Sequence, residues 1–289
     1  MGLKKKLGKQ FVITTELGPT NGTTVEETLK KARGYFPLDA INIHDCPMAN
    51  LRINSIALSH IVQTELGIEA IPHFTCRDRS LLGTQADLLG AHALGIRFIL
   101  PTTGDGPQHG PYPSKAVYDL DTLGLISLIK NMNRGVDYHG KEFGGSTDFT
   151  ISATAAPAAK NREVELRRIR AKIEAGTDFF QTQPIYDASK AISFMEEVSP
   201  LNIPVIMGIM PLKGLKMAEY MRENVAGIDI PDEVMERLRQ DKKAGIKIAC
   251  ELIQQIHPYV SGVHIMALGN VEGTNEIIEF VRSLKEPQK

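Results

Sequence analysis

FILPTTGDG, residues 98–106, is a short apolar run followed at once by a turn of small residues that carries one carboxylate. The run Phe98 to Leu100 predicts a β-strand, and the glycines that flank Asp105 predict a turn. In a barrel of repeated strand–helix units, polar residues just past the carboxyl end of a strand face a shared pocket. The stretch therefore predicts one such unit, with Asp105 at the mouth.

The same unit recurs along the chain. Apolar strand candidates alternate with amphipathic helical segments, several of which end at a glycine. The predicted strands cover residues 11–17, 38–43, 68–74, 98–100, 149–153, 178–182, 205–209 and 260–267. Because every parallel strand needs a crossover connection of one hand, eight units predict an α/β fold of the (β/α)8 TIM-barrel type. Residues 231–259 are richer in helix than one unit needs, so we expect an extra helix before the last strand.

The domain organisation follows from length and continuity. No interior stretch of the 289 residues has the composition of a linker, and no repeat or low-complexity tract is visible. We predict a single TIM-barrel domain over residues 1–289, with residues 1–9 as a short N-terminal extension.

Composition and charge narrow the class of function. A net charge of -1 gives no electrostatic reason to expect nucleic acid or an anionic membrane surface as partner. No apolar run approaches the roughly 18 residues of a membrane span, and no apolar signal core follows the first lysines, so a cytoplasmic protein is expected. Cys46, Cys76 and Cys250 form no C-x-x-C pair. They are predicted to be free thiols, and no metal site is expected.

Polar residues stand where the predicted strands end, and we expect them to point toward one mouth. They are Glu16, His44 with Asp45, His73 with Thr75, Asp105, Gln183 and His264. Such a set can combine a proton donor, hydrogen-bond donors for a heteroaromatic ligand and a positioning amide.

Each of these residues also has a structural explanation. Glu16 lies in an apolar segment, where burial would raise its pKa and suit it to general-acid work, but a carboxylate capping the next helix explains it equally well. A lone histidine such as His73 is more often a core or rim residue than a catalyst. Asp105 can form an Asx turn, and Gln183 can be a packed strand-end amide.

Six stretches, in order, resemble the methylenetetrahydrofolate reductase family in its short, barrel-only form. The resemblance covers residues 10–285 and is carried by Thr15–Pro19, Pro72–Asp78, Leu88–Arg97, Thr103–Asp105, Thr182–Asp187 and Gly208–Pro211. It implies an oxidoreductase acting on CH-NH groups, with a flavin across the barrel mouth and a reduced folate on the face of the flavin.

The resemblance also implies residue roles. Glu16 matches the family's proton donor, Asp105 the carboxylate that tunes the flavin, and Gln183 the amide that contacts the pterin. His73, Thr103, Gly104 and Tyr118 are assigned to the flavin site on the same basis. Glu165, Arg168 and Lys172 share one helix face near the family's flavin contacts, although a solvated charged face explains Glu165 and Arg168 at least as well. Leu215 stands where an aromatic residue can cover the substrate.

Two departures from the family pattern concern the flavin. Thr103 replaces the arginine of the better-known bacterial form, and Ala156 replaces a tyrosine or asparagine. The sequence does not distinguish FAD from FMN as the flavin. The wording of several motifs is similar to that of acetogen-type catalytic subunits, which implies an iron–sulfur partner subunit and a homo- or hetero-oligomer. The electron donor is either NAD(P)H or such a partner.

The resemblance thus predicts reduction of 5,10-methylenetetrahydrofolate to 5-methyltetrahydrofolate, with Glu16 delivering a proton to N10 and the reduced flavin a hydride to the methylene carbon. Two other classes of protein fit the same residues. One is a pterin-binding methyltransferase barrel without flavin, and the other is a non-catalytic barrel subunit that docks a redox partner.

Overall fold

The computed structural model describes residues 2–225 and 227–284 of the chain. Eight parallel strands pair in chain order, and the eighth closes the barrel against the first. They are β1 (Val12–Leu17), β2 (Ala40–Ile43), β3 (Ala70–Thr75), β4 (Phe98–Thr102), β5 (Thr150–Ala155), β6 (Phe179–Pro184), β7 (Val205–Ile209) and β8 (Gly262–Ile265). The predicted (β/α)8 TIM barrel is confirmed.

Helix α1 precedes β1 at the base of the barrel, and the other helices lie after the strands on its outside. They are α1 (Leu3–Lys6), α2 (Glu26–Gly34), α3 (Ser55–Leu66), α4 (Leu81–Ala93), α5 (Thr122–Met132), α6 (Arg162–Ala175), α7 (Ala188–Val198), α8 (Leu215–Asn224), α9 (Asp232–Gln240), α10 (Gly245–Ile256) and α11 (Val271–Ser283). Short 3₁₀ turns cover Pro47–Ala49, Pro107–His109 and Ser199–Leu201. Helices α9 and α10 both precede β8, which confirms the predicted extra helix.

Capping explains the largest boundary difference. The apolar spacing of residues 50–66 predicts a helix from residue 50, but α3 begins at Ser55. The Asn54 side chain accepts hydrogen bonds from the backbone N–H groups of Ile56 and Ala57, so Asn54 is the N-cap. The apolar residues before it, which suggested a longer helix, lie in the loop that follows the Pro47–Ala49 turn.

The barrel interior is layered, because alternate residues of each strand point inward. Apolar side chains fill the amino-terminal end, and Leu3 of α1 packs against them with 1% of its surface exposed. The predicted N-terminal extension therefore closes the base of the barrel through Leu3. Polar side chains occupy the middle layer, and the mouth residues lie above them at the carboxyl ends of the strands.

The extent of the domain stays a prediction. Residues 1, 226 and 285–289 of the predicted single domain lie outside the described residues.

Candidate active site

A carboxylate–imidazole pair lies at the mouth. Glu16, near the end of β1, and His44, which directly follows β2, are joined by a contact of 3.1 Å between Glu16 Oε2 and His44 Nε2. An ionised carboxylate can only accept a hydrogen bond, so Nε2 of His44 carries the proton. The Glu16 side chain is 15% exposed and that of His44 25%. The pair is therefore shielded but open to a ligand above it.

The electrostatics of Glu16 differ from the prediction. Burial raises the pKa of this carboxyl, as expected, but the hydrogen bond from His44, the charges of His44 and His264 and the backbone N–H of Leu268 all lower it. The balance is a pKa below the usual value. The expectation of a raised pKa was wrong because the sequence did not place His44 beside Glu16.

Two further histidines below the mouth are held neutral. Burial lowers the pKa of His73 well below its usual value, and the charges of His44 and His264 add to this. Burial also lowers the pKa of His264 to about 4, against a partial opposing effect of the Glu16 charge. The ring centroids of His44 and His73 are 5.0 Å apart. At neutral pH the two buried rings act as hydrogen-bonding groups without charge.

A buried amide network supports these rings from the middle layer of the barrel. Asn42 and Gln181 exchange two hydrogen bonds of 2.9 and 3.1 Å between their side-chain amides. Asn42 Nδ2 also donates to His73 Nε2 at 3.2 Å, which leaves the His73 proton on Nδ1. Thr14 Oγ1 lies 2.9 Å from His264 Nδ1. The network fixes both rings before any ligand arrives.

Sequence reasoning missed these supporting residues, although the chain contains a signal for them. Thr14, Asn42 and Gln181 each stand two positions before a predicted or observed mouth residue: Glu16, His44 and Gln183 respectively. Since strand side chains alternate between the two faces, residues two apart share the inward face. Polar residues repeated at that spacing in three strands predict a polar barrel interior.

Gln183 and Leu215, the predicted substrate contacts, are not brought together by any described contact. Gln183 is an exposed residue near the end of β6, two positions beyond the buried Gln181. Leu215 begins α8 and packs, half-buried, against the apolar cluster of Tyr186, Leu212 and Met221. An exposed strand-end amide is free to bind a ligand, so the packed-amide explanation does not describe Gln183.

Asp105 connects two loops at the mouth. Its Oδ2 accepts a hydrogen bond of 2.5 Å from the backbone N–H of Met48, in the turn after β2. Its carbonyl oxygen accepts from Arg77 Nη1 at 3.1 Å. The preceding residue has to be glycine: Gly104 has φ +84, a conformation that side chains disfavour, and a Cβ there would lie only 3.0 Å from the Thr75 Cβ. The carboxylate therefore bridges loops instead of closing an Asx turn within its own loop.

The loop that Asp105 holds has an unusual backbone. Cys46, Met48 and Ala49 all have φ between 43 and 52, a region that costs free energy for residues other than glycine. Arg77, buried behind this loop, donates to the carbonyl of Cys46 at 3.1 Å. Such strain persists only where neighbouring contacts enforce it, and Arg77 and Asp105 supply those contacts.

Asp45, which the sequence places at the mouth, is enclosed by groups of the next strand and the loop after it. The residue is 7% exposed. Its carboxylate accepts hydrogen bonds from the backbone N–H and the hydroxyl of Thr75 and, at 2.6 Å, from Arg79 Nη1. It ties β2 to β3 and is occupied by these contacts. The sequence order conceals these partners, because they come from the adjacent strand and the loop after it.

A cavity of about 680 Å³ opens beside the mouth, between the carboxyl ends of β4 and β5 and helices α5 and α6. Its lining combines hydroxyl groups with cationic side chains. The lining includes Thr102, Thr103, Thr122, Thr154, Arg167, Arg168 and Lys172. Thr103 and Thr122 hydroxyls lie 2.9 Å apart. Lys172 Nζ donates to the Thr154 carbonyl at 2.5 Å, and burial lowers the pKa of Lys172.

Other residues assigned to the flavin from the resemblance do not line this cavity. Glu165 is buried, and its Oε1 accepts a 2.8 Å hydrogen bond from the backbone N–H of Ala156. The solvated-face explanation therefore fails for Glu165. Arg168, whose side chain is 69% exposed, does line the cavity and is open both to solvent and to a ligand. Tyr118 lies on the loop between β4 and α5, exposed and with φ 45.

The described residues contain neither a metal-binding cluster nor a membrane-spanning helix. Across residues 2–225 and 227–284, no group of three or more histidine, cysteine or carboxylate side chains could hold a metal ion. No helix within that same part of the chain has the length and apolar character needed to cross a membrane. All three cysteines are free thiols, as predicted.

A closed eight-stranded barrel with ionisable and amide groups at its carboxyl mouth defines an α/β-barrel protein built to hold a ligand at that end. The sequence model for methylenetetrahydrofolate reductase matches residues 4–282. The chain belongs to the methylenetetrahydrofolate reductase family, as the motifs predicted.

Individual relatives agree with this family assignment. Methylenetetrahydrofolate reductase 1 of Schizosaccharomyces pombe is 25% identical over 240 residues, which are 78% of this chain but 38% of the yeast protein. The 5,10-methylenetetrahydrofolate reductase of Pectobacterium carotovorum is 25% identical over 225 residues, 73% of this chain and 69% of the relative. The chain thus matches less than half of the yeast relative.

A solved structure shows the same fold with a distant sequence. A 2,3-dimethylmalate lyase of the PEP mutase/isocitrate lyase superfamily has a TM-score of 0.54 at 9% identity, covering 96% of this chain and 84% of the lyase. At that identity the likeness concerns the barrel alone.

Proposed function

We propose that this protein reduces 5,10-methylenetetrahydrofolate to 5-methyltetrahydrofolate with a bound flavin. The observation that carries the proposal is the Glu16–His44 pair, joined at 3.1 Å at the barrel mouth of a chain that belongs to this family. Ring opening of the substrate needs a proton at N10, and a shielded carboxylate–imidazole pair is a means of delivering one.

The residues beside the mouth fit a flavin nucleotide. Arg167, Arg168 and Lys172 provide positive charge for a phosphate, and Thr103 and Thr154 provide hydroxyl groups in the same cavity. Of these, Arg168 and Lys172 would hold the phosphate end. Gly104 and Asp105 of the adjoining turn and Nδ1 of His73 would contact the ring. When bound, a flavin supplies the hydride that reduces the methylene carbon.

The protein's own groups prepare the substrate. Glu16 delivers the proton to N10, which opens the five-membered ring and leaves a 5-iminium cation. Asp105 stabilises this cation electrostatically, and Gln183 orients the pterin through its exposed amide. Leu215 would cover the substrate from the start of α8.

The proposal includes the flavin, its reductant, the assembly and the location of the protein. The flavin is either FAD or FMN, and its reductant is either NAD(P)H or an iron–sulfur partner subunit in a homo- or hetero-oligomer. The predicted cytoplasmic location belongs to the same proposal. The similarity of several motifs to acetogen-type catalytic subunits supports the partner subunit.

Purification with flavin identification tests the first part of the proposal. Freshly purified protein is expected to show a flavin spectrum and to reduce 5,10-methylenetetrahydrofolate with NADH or a reduced viologen dye. A protein that neither carries nor accepts flavin but transfers methyl groups would instead be a pterin-binding methyltransferase. No turnover with flavin and viologen present would indicate a docking subunit.

Glu16→Gln tests the assigned acid. The amide keeps the size of the side chain but has no proton to give, so the variant is expected to fold, bind flavin and accept electrons while losing nearly all folate reduction. Glu69→Gln, a change at a glutamate just before β3, is the control and is expected to behave as wild type. Wild-type folate turnover in Glu16→Gln would contradict the assignment of Glu16 as the proton donor.

A further inference from the structure

His44 stands beside the predicted acid without having been assigned a role. Its ring follows β2 and faces groups from three other strands: Glu16 of β1, His73 of β3 and His264 of β8. Tyr35, just after α2, also responds to the Glu16 charge, and burial together with that charge raises the pKa of Tyr35 to about 12. Tyr35 therefore stays neutral and does not compete for the proton.

We propose that His44 and Glu16 form one proton-donating unit, in which His44 supplies the proton that Glu16 delivers to the substrate. This inference rests on the proposed function. The 3.1 Å contact places Nε2–H of His44 directly on the Glu16 oxygen, with no described group between them. The other two histidines are already engaged, His73 with Asn42 and His264 with Thr14.

The depressed pKa of Glu16 explains why a second group is needed. A carboxyl that is ionised at neutral pH has no proton of its own to give. The ring of His44 is a quarter exposed, so water can reprotonate it between turnovers. A proton held between Glu16 Oε2 and His44 Nε2, 3.1 Å apart, belongs to the pair and not to either residue alone.

The proton step balances. The C–N10 bond of the substrate breaks, and its electron pair remains on N10, which takes the proton from Glu16. Glu16, a carboxylate at the start, receives this one proton from Nε2 of His44 and passes it on to N10. Cationic His44 becomes neutral, Glu16 ends as a carboxylate, and the substrate becomes the 5-iminium cation. The positive charge thus moves from the imidazole to the substrate, beside the Glu16 carboxylate.

The pH profile of folate-driven oxidation tests this role. The reduced, flavin-loaded protein is mixed rapidly with 5,10-methylenetetrahydrofolate across a range of pH, for wild type, His44→Gln and His92→Gln. Glutamine keeps an N–H donor for Glu16 but cannot ionise. In His44→Gln the fall in rate on the alkaline side is expected to move to lower pH by about one unit or more, a tenfold change in proton affinity.

His92 is a matched control, because it too donates to a carboxylate, with Nε2 3.0 Å from Asp148 Oδ1 at the surface. His92→Gln is expected to keep the wild-type profile. An alkaline limb that stays in place in His44→Gln, even with a lower rate at every pH, overturns the role of His44. Failure of wild type to oxidise at any pH would instead overturn the proposed function.

A measurement without turnover separates chemistry from packing. In ¹³C NMR of carboxyl-labelled glutamate, identified by its loss in Glu16→Gln, the Glu16 signal is expected to titrate at higher pH in His44→Gln than in wild type. Burial still raises the pKa and the glutamine amide can still donate to the carboxylate, but the imidazole charge that lowers the pKa is gone. An unchanged titration of the Glu16 signal overturns the proposal.

His44→Asn serves as the second variant. Circular dichroism and flavin content check that both variants fold.

Discussion

At the scale of single residues, the mouth is defined by which side chains already have partners. Asp45 and Glu165 are buried and accept hydrogen bonds from neighbouring elements, so their carboxylates hold the fold. Gln183 and Asp105 are exposed, and the only side-chain hydrogen bond described for Asp105 goes to the Met48 backbone. Exposed polar groups at strand ends can act on a ligand, whereas buried and satisfied ones position the loops.

Asp105→Asn tests whether the carboxylate acts on bound ligands. Asparagine can still accept from the Met48 N–H, so the fold is expected to stay stable. Loss of the negative charge removes stabilisation of a cationic substrate, and the rate of flavin oxidation by folate should fall about tenfold, equivalent to about 1.4 kcal/mol. Stopped-flow measurement of that step gives the rate.

Asp119→Asn is the matched control for Asp105→Asn. Asp119 also sits exposed in a loop and accepts a backbone N–H, that of Leu81, at 2.8 Å. Its substitution is expected to leave the oxidation rate unchanged. If Asp105→Asn behaves in the same way, Asp105 is a loop bridge alone.

At the scale of elements, periodicity predicted every strand of the barrel and the additional helix before β8. Boundaries were less accurate where capping decides them, as at Asn54. The site was predicted in part, because strand ends point to a mouth in any such barrel. Contacts between strands could not be read from one strand at a time, and the Glu16–His44 and Asp45–Arg79 pairs both join separate elements.

The amide pair inside the barrel links β2 to β6 and should contribute to stability. Asn42→Ala leaves the Gln181 amide and the His73 ring short of buried hydrogen-bond partners. The free energy of unfolding is expected to fall by about 2 to 3 kcal/mol, since each unsatisfied buried polar group costs on the order of 1 to 3 kcal/mol. Urea denaturation measures the change.

Asn224→Ala supplies the comparison for Asn42→Ala. Asn224 ends α8 at the surface, where its side chain donates to the Tyr220 carbonyl at 2.9 Å. Loss of an exposed hydrogen bond should change stability by no more than about 0.5 kcal/mol. Equal effects of the two substitutions would show that the interior network adds nothing to the fold.

At the scale of the whole molecule, the polar interior makes the barrel sensitive to acid. His73 and His264 are neutral when folded because burial lowers both pKa values, whereas in the unfolded chain both would titrate near the usual 6.5. Below that pH the two histidines bind protons in the unfolded state but not in the folded state. Stability from these groups is therefore complete above about pH 6.5 and is lost as the pH falls toward the folded-state pKa.

The loss can be measured. With a folded pKa of about 4 for His264 against 6.5 unfolded, this residue alone should lower the free energy of unfolding by about 2 kcal/mol between pH 7 and pH 5. His264→Asn can still accept from Thr14 and does not ionise, so urea denaturation at both pH values should show a shallower decline. His139→Asn, at an exposed histidine, should keep the wild-type decline. An equally steep decline in His264→Asn would mean that His264 is not kept neutral by burial in the folded barrel.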